Sequence, residues 1–313
     1  MIVSASRRTD IPAFYAQWFI NRVRDGYCTV PNPFNKTQVA RVSLLRNDVD
    51  VIVFWTRNPE PLMPHLKELE AKGYRFYFHY TITGYPRLID IRSPCLESAL
   101  AAFRRLADEI GTARVIWRYD PILFGNMTDL KYHAERFAEI ARSLRGFTRR
   151  CVVSLADPYP KAERRLQRLA RQGVHFFRAD EAHLDTIGAL MEILAQSARE
   201  NGMEVFSCAE RFNFSKHGVL PGKCIDDDLI ESLFGIRLAI KKDASQRKEC
   251  GCVVSKDIGV YNTCLFGCPF CYATTSFKQA RKKFESHHPD APSLADWLEA
   301  GAGNDGLRSV QSS

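Results

Sequence analysis

Three cysteines near the end of the sequence form the motif with the most specific chemistry. Cys264, Cys268 and Cys271 follow the spacing C-x3-C-x2-C within the segment CLFGCPFCYA. Three thiolates on one short loop can bind three irons of a [4Fe-4S] cluster and leave the fourth iron open to another ligand. Structural zinc sites more typically use C-x2-C pairs or histidines. Because His287 and His288 follow downstream, zinc stays an alternative.

Four further cysteines could form a second site. Cys208 is expected at a strand end, Cys224 follows a Pro-Gly-Lys turn, and Cys250 and Cys252 form a C-x-C pair. Four thiolates could bind an auxiliary iron–sulfur cluster or a zinc ion. Alternatively, some of them are small apolar core residues. The remaining three are expected to be core residues, namely Cys28, Cys95 and Cys151.

Composition bounds the class of protein. The 313 residues are 45% hydrophobic and 26% charged, which excludes disorder of the whole chain. The sequence contains no run of about 18 apolar residues, so we expect no membrane-spanning helix. The N-terminal segment lacks the apolar core and cleavage site of a secretory signal, so we expect a cytoplasmic protein without a membrane partner. Disulfides are rare there, so five cysteines between positions 250 and 271 indicate a metal or a cluster.

Short apolar runs alternate with amphipathic stretches over the first 210 residues. The strands are predicted at Ile2–Ser6, Val49–Trp55, Arg75–Ile82, Ala113–Tyr119, Arg150–Leu155 and Met203–Cys208. The helices are predicted at 12–24, 60–72, 95–110, 128–145, 160–172 and 181–200, and a glycine follows five of these six. Such alternation predicts an α/β fold with a parallel sheet.

We expect a TIM-like full or partial β/α barrel, with the cysteine-rich segment packed on the barrel mouth; a doubly wound sheet is the alternative. Residues 1–210 would form the barrel core. Residues 211–301 would form a cysteine-rich segment that completes the barrel, and 302–313 a disordered tail rich in small polar residues.

Polar residues follow the predicted strands, where parallel α/β folds place their active sites. We expect several of these loops to converge on one polar pocket, although arginine and aspartate at strand ends also form structural salt bridges. The candidate residues are Thr9, Asp10, Arg57, Tyr85, Arg118, Asp120 and Glu210.

The cysteine loop resembles the cluster loop of the radical S-adenosylmethionine (SAM) superfamily. Cys264, Cys268 and Cys271 match its three cluster ligands, Phe270 its aromatic position, and Tyr272-Ala273 is a common continuation. The resemblance implies a [4Fe-4S] cluster whose open iron binds the amino and carboxylate groups of SAM. It also implies reductive cleavage of SAM to a 5′-deoxyadenosyl radical, which abstracts hydrogen from a substrate.

Nearly the whole chain is similar to an uncharacterised bacterial family, a domain of unknown function with a C-terminal radical-SAM-like cysteine cluster. The similar segments are Ser4–Pro12, Phe54–Pro59, Tyr80–Pro86, Trp117–Pro121, Ser207–Glu210, Pro221–Asp226 and Asp257–Ala273. No substrate is implied.

The position of the loop differs from the superfamily, where it follows the first strand. A circular permutation would explain the difference. Ile258–Thr263 would then be the superfamily's first strand, with a helix around Phe277–Phe284 after the loop, and this strand would lie beside the N-terminal one. The superfamily's second strand usually ends in a Gly-Gly-Glu-like motif, where this chain has Arg8-Thr9-Asp10.

The resemblance implies roles for the strand-end residues. Thr9 and Asp10 would bind the SAM amino group, and Arg57 or Arg118 its carboxylate. The substrate contacts would come from Asp120, Glu210 and Tyr85. A cytosolic flavodoxin or ferredoxin would donate the electron.

Two other functions remain open. A non-catalytic metalloprotein could use iron–sulfur or zinc to fasten its C-terminal segment. A nucleic-acid binding or repair protein could use the net charge of +8 and the basic face formed by Arg164, Arg168 and Arg171, although a solvated helix face is the simpler interpretation.

Overall fold

The computed structural model describes residues 1–35, 38–157, 159–177, 180–239 and 241–295. The predicted tail, 302–313, lies outside the described residues. No helix in the described part of the chain is long and apolar enough to cross a membrane.

Eight strands form one parallel sheet. The described residues contain ten strands in all: β1 (Ile2–Ala5), β2 (Tyr27–Pro31), β3 (Val39–Ser43), β4 (Val51–Thr56), β5 (Phe76–Thr81), β6 (Val115–Ile122), β7 (Arg150–Leu155), β8 (Glu204–Cys208), β9 (Val219–Gly222) and β10 (Lys256–Asp257). The sheet has the order β10-β1-β4-β5-β6-β7-β8-β9, and every neighbouring pair is parallel. β2 and β3 form a separate antiparallel hairpin.

Nine α-helices connect or follow these strands in the described residues. They are α1 (Ile11–Phe14), α2 (Ala16–Asp25), α3 (Leu66–Ala71), α4 (Leu96–Ile110), α5 (Leu130–Ser143), α6 (Pro160–Ala170), α7 (Leu184–Glu200), α8 (Asp227–Phe234) and α9 (Phe277–Glu285).

The predicted α/β fold with a parallel sheet is confirmed. From β1 through β9 the sheet strands follow one another along the chain, without the reversal that defines a doubly wound sheet. Within the described residues the sheet does not close into a full barrel, because β9 and β10 lie at its two edges and do not pair with each other.

The two faces of the sheet are covered by different parts of the chain. On one face Phe54, Trp117 and Val153 belong to the main core, which α4, α5 and α7 complete. On the other face Val53, Tyr77 and Ile116 pack against apolar residues of the segment 224–253. Both faces are buried, which explains why these strands are continuous apolar runs rather than alternating ones. Residues 224–239 and 241–253 therefore cover the second face of the sheet.

β10 lies at one edge of the sheet and pairs in parallel with β1, with Val3 opposite Lys256 and Ser4 opposite Asp257. The predicted strand at Ile258–Thr263 is wrong, because none of these residues is in a strand and the observed strand ends directly before Ile258. The observed β10 does lie beside the N-terminal strand. The chain therefore leaves β10 at the carboxyl edge of the sheet, directly before the cysteine loop.

Candidate cysteine-lined functional site

One cavity of about 530 Å³ lies at the carboxyl ends of the strands. It is lined by all seven cysteines that the sequence singles out as potential metal ligands, although they come from four separate segments. These are Cys208, Cys224, Cys250, Cys252, Cys264, Cys268 and Cys271.

The first group, the three-thiol loop (Cys264–Cys271), is closed at its base by Asn262. This residue has a left-handed φ of 58°, and its side-chain oxygen accepts the backbone N–H groups of Thr275 (2.6 Å) and Ser276 (3.2 Å). Tyr15 donates its buried hydroxyl to the carbonyl of Thr263 at 2.8 Å. The residues before and after the loop are thereby held together, which keeps three cysteines on one tight turn.

Arg165, on α6, holds the loop from the side. Its guanidinium donates to the carbonyl oxygens of Pro269 (2.8 Å), Thr274 (2.5 Å) and Cys271. Sequence reasoning missed this role, because Arg165 lies among other basic residues of a surface helix. The predicted basic face of Arg164, Arg168 and Arg171 is exposed, as a solvated helix face would be.

The three thiols lie in a buried environment with nearby donors. Burial raises the pKa of the Cys264 thiol well above its ordinary value. Burial also raises the pKa of Cys268 to about 12, against the opposing effect of the Arg57 guanidinium. The Ala273 N–H donates to the Cys271 sulfur at 3.3 Å. Metal binding would replace the thiol protons, as it does at other thiolate sites.

The spacing of the three thiols bears on the size of a centre that they could bind. Within the described residues, the only three potential ligand groups whose donor atoms all lie within 4.8 Å of one another are Asp226, Asp227 and Asp228. A tetrahedral zinc with bonds of about 2.3 Å needs its sulfur ligands within about 4 Å of one another. The three loop thiols are not such a group, so at least one pair of their sulfur atoms lies more than 4.8 Å apart, which is wider than the ligands of one zinc ion. The three aspartates instead neutralise Lys223 at the start of α8.

The second group, the four-thiol group, consists of Cys208, Cys224, Cys250 and Cys252. The Cys208 and Cys224 sulfur atoms lie 3.0 Å apart, and the Cys252 thiol contacts those of Cys224 and Cys250. Hydrogen bonds from Cys224 and Cys250 lower the pKa of Cys252. Cys250 and Cys252 are buried.

Of the three cysteines that were expected in the core, two are buried and one is exposed. Cys28 and Cys151 are buried, but Cys95 is exposed at the start of α4, so that prediction is wrong. Its sulfur contacts the Ser98 hydroxyl at 3.0 Å. A thiol at a helix start is a cap position rather than a core position.

Thr9, Asp10 and Arg57 line the cavity beside the three-thiol loop. Asp10 accepts the N–H groups of Ala13 (3.0 Å) and Arg57 (2.7 Å), so it caps α1 and orders the loop after β4. Burial raises the pKa of Asp10 to about 7. The buried hydroxyl of Thr9 has no hydrogen-bond partner. The Arg57 guanidinium donates to Asp90 at 2.5 Å and lies 5.8 Å from the centre of the Phe270 ring.

Arg118 and Asp120 line the same cavity beside the four-thiol group. Arg118 donates to the Cys224 sulfur at 2.8 Å and forms an ion pair with Asp120. Asp120 also accepts a hydrogen bond from Ser154. Arg57 and Arg118 were predicted as alternatives for binding the SAM carboxylate. The structure places Arg57 beside the three-thiol loop and Arg118 beside the four-thiol group.

Two predicted substrate contacts are not brought into the cavity lining. Burial raises the pKa of Glu210 to about 8, and its carboxylate accepts the Leu155 N–H at 2.8 Å. Tyr85 lines a separate cavity of about 130 Å³. Its hydroxyl donates to the carbonyl of Pro121 (2.8 Å) and accepts the N–H of Leu123 (2.9 Å), which gives it a structural role.

Sequence reasoning missed two charged residues of the site, Arg7 and Asp257. Asp257 accepts hydrogen bonds from the hydroxyls of Ser4 and Ser6, both at 2.7 Å, and from the Arg7 N–H at 2.8 Å. The Arg7 guanidinium lies over Trp55, 5.5 Å from the ring centre. The sequence offered one indication of Asp257, namely its position directly before the strand predicted at Ile258–Thr263.

The fold and site define a parallel α/β protein with a cysteine-lined cavity at the carboxyl ends of its strands. The chain belongs to the family described as Domain of unknown function (DUF1848), which it matches over residues 2–273. No curated protein matches the sequence significantly.

Among solved structures, the chain has a distant likeness to a D-hydantoinase, with 11% identity, a TM-score of 0.29 and coverage of 66% of this chain. It spans 41% of the length of that protein. It also has a distant likeness to a putative alpha-L-fucosidase from Bacteroides thetaiotaomicron VPI-5482. There the identity is 12%, the TM-score is 0.29, and coverage is 77% of this chain and 83% of the other.

Proposed function

We propose that this protein is a radical-SAM-like enzyme whose [4Fe-4S] cluster is bound by Cys264, Cys268 and Cys271. The observation that carries the proposal is the position of these thiols. All three line a large cavity at the carboxyl ends of parallel strands, which is where such folds place their active sites. A loop that only fastened a C-terminal segment would not need its three sulfur atoms at that cavity.

The pairing of β10 with β1 supports the permuted arrangement. β10, the three-thiol loop and α9 form a strand–loop–helix unit at the end of the chain, next to its first strand. Under this proposal the unit would correspond to the first unit of the radical SAM superfamily, moved from the start of the sequence to its end. The parallel sheet would then be a partial barrel, with β1 in the place of the superfamily's second strand.

Cys264, Cys268 and Cys271 would hold the cluster, which would supply the single electron for cleavage of SAM to methionine and a 5′-deoxyadenosyl radical, and this radical would abstract a hydrogen atom from the substrate to give 5′-deoxyadenosine. The electron would come from a cytosolic flavodoxin or ferredoxin. The protein itself supplies binding, orientation and exclusion of water.

Residues beside the three-thiol loop would orient SAM. The Asp10 carboxylate lies close enough to Cys264 to raise the pKa of that thiol. The same carboxylate could attract the SAM ammonium group. Thr9 offers a buried hydroxyl with no hydrogen-bond partner. Arg57 is favoured over Arg118 for the SAM carboxylate, because Arg57 interacts with Cys264 and Cys268 whereas Arg118 donates to Cys224. On the substrate side, Asp120 and Ser154 lie in the cavity lining.

The decisive experiment is anaerobic purification and reconstitution, followed by reduction with dithionite in the presence of SAM. We expect 5′-deoxyadenosine, measured by liquid chromatography and mass spectrometry, and its loss in the variant C264A/C268A/C271A. The matched control is Cys95→Ser, which removes an exposed thiol that belongs to neither thiol group. It should form 5′-deoxyadenosine as the wild type does.

Two outcomes would contradict the proposal. Iron-loaded protein that neither binds nor cleaves SAM would support the non-catalytic metalloprotein. Salt-dependent nucleic-acid binding that is lost in the variant R164A/R168A/R171A, without any SAM cleavage, would support the nucleic-acid alternative.

A further inference from the structure

The fold assembles the four-thiol group from three separate segments. Cys208 ends β8, Cys224 follows β9, and Cys250 and Cys252 lie in the segment that covers the second face of the sheet. Side chains that merely filled apolar space would not need to meet sulfur to sulfur. Here the sulfur atoms form a chain of contacts from Cys208 through Cys224 and Cys252 to Cys250.

The surroundings of these thiols consist of hydrogen-bond donors and positive charge. The Cys252 sulfur accepts the N–H groups of Cys224 (3.3 Å) and Ile225 (3.4 Å). The Arg118 guanidinium donates to the Cys224 sulfur at 2.8 Å. One buried guanidinium nitrogen of Arg7, which interacts electrostatically with Cys224 and Cys252, has no hydrogen-bond partner. Amide and guanidinium donors directed at sulfur stabilise thiolates and the anionic clusters that thiolates bind.

We propose that Cys208, Cys224, Cys250 and Cys252 bind a second iron–sulfur centre, in the same cavity as the three-thiol loop. Four protein thiolates would occupy every iron of a [4Fe-4S] cluster, so this centre would have no open iron for SAM. It would serve electron transfer or substrate positioning. The assignment does not depend on whether the first centre cleaves SAM.

A single zinc ion fits the group less well. Four thiolates on one tetrahedral ion lie within about 4 Å of one another. Within the described residues no three of these four sulfur atoms are all within 4.8 Å of one another. The 3.0 Å between the Cys208 and Cys224 sulfur atoms is shorter than two ligands of one metal centre adopt, so these two side chains move apart on binding.

The test counts iron and acid-labile sulfide in anaerobically reconstituted full-length protein. We expect about eight irons per chain in the wild type and about four in C264A/C268A/C271A, which leaves the four-thiol group untouched. The variant C250A/C252A should also hold about four. Cys95→Ser, the matched control, should hold as many as the wild type. Circular dichroism establishes that each variant is folded.

Three results would overturn the proposal. The first is a folded C264A/C268A/C271A variant that holds no iron. The second is one zinc per chain that is lost in C250A/C252A. The third is a Cys208–Cys224 disulfide in the anaerobic protein, detected by mass spectrometry after alkylation. If C264A/C268A/C271A keeps about four irons while the wild type fails to cleave SAM, the second centre stands and the proposed function falls.

Discussion

The Arg165 guanidinium donates to the carbonyl oxygen of Pro269 at 2.8 Å, across 104 residues of sequence. The same side chain donates to two more carbonyls of the cysteine loop and so joins α6 to it. The loop carbonyls on that side therefore have a fixed partner. We infer that Arg165 sets the shape of the loop before any metal binds.

Replacing Arg165 with alanine should therefore weaken cluster binding. Three hydrogen bonds from a charged group are lost, and each such bond contributes about 1.5–3 kcal/mol when buried, less here because Arg165 is only half-buried. We expect faster loss of iron to a chelator, followed by absorbance near 400 nm. The control is Arg168→Ala, an exposed arginine of the same helix. Equal rates of iron loss in the two variants would show that Arg165 does not order the loop.

Asp257 fixes the edge strand β10 to β1. Its four hydrogen-bond partners are all donors, namely the Ser4 and Ser6 hydroxyls and the N–H groups of Arg7 and Gly259. Asp257→Asn places an amide N–H₂ against at least one of them, so we expect a loss of about 1–3 kcal/mol in the free energy of unfolding. Chemical denaturation measures it. Asp185→Asn, at an exposed position of α7, is the control and should change little.

Gly259 is expected to be intolerant of substitution for a steric reason. A Cβ at this position would lie 1.9 Å from the Ser6 hydroxyl oxygen. Gly259→Ala should therefore push β10 away from β1 and destabilise the protein by about 1–3 kcal/mol. The variant G259A/S6G removes the opposing side chain. It should recover part of the loss in thermal unfolding, whereas no recovery would place the strain elsewhere.

Much of the sheet could be predicted because its strands are buried on both faces. The β7 strand, Arg150–Leu155, was predicted with the observed bounds, since it is a continuous apolar run between polar segments. The hairpin of β2 and β3 and the short strand β9 were missed. Val39, Ala40 and Arg41 in β3 are exposed, so that strand lacks the burial pattern that sequence reasoning uses.

The contents of the cavity could be predicted only in part. Regular spacing along the chain identified the three-thiol loop, because its ligands lie within eight residues. The contacts that join Cys208 to Cys224 and Cys224 to Cys252 arise from tertiary folding and have no local pattern in the sequence. Tyr85 was expected at the cavity for its position after a strand, yet its hydroxyl is used by the backbone of Pro121 and Leu123. A strand-end position alone does not give the direction of a side chain.

Asp10→Asn should weaken SAM binding without lowering iron content. The substitution removes a carboxylate beside the three-thiol loop but no cluster ligand, and because burial raises the pKa of Asp10 to about 7, SAM binding is measured at pH 8, where the carboxylate is charged. The two carboxylate oxygens accept the N–H groups of Ala13 and Arg57, and asparagine has only one such oxygen, so we also expect a loss of about 1 kcal/mol in stability. Equilibrium dialysis with SAM measures the first effect and thermal unfolding the second. Thr9→Val separates them, since it removes a hydroxyl without disturbing the cap. Unchanged SAM affinity in both variants would exclude these two residues from SAM binding.

His133 should make stability depend on pH. It is fully buried, with its ring nitrogens against the Tyr119 hydroxyl (2.8 Å) and the Leu123 carbonyl (3.0 Å). Burial lowers its pKa from 6.5 to about 4, so the unfolded chain takes up a proton below pH 6.5 that the folded protein does not. The stability contributed by neutral His133 is therefore present above pH 6.5 and is lost as the pH falls towards 4.

We expect this effect to remove about 2 kcal/mol between pH 8 and pH 5. His133→Gln lacks the titrating group, so its free energy of unfolding should fall less over this range, even if it is lower throughout. Urea denaturation of both proteins at each pH, in the same metal state, measures the difference. His288→Gln, at an exposed position, is the control and should follow the wild type. A constant difference between His133→Gln and the wild type from pH 8 to pH 5 would mean that His133 is not the group whose burial opposes protonation.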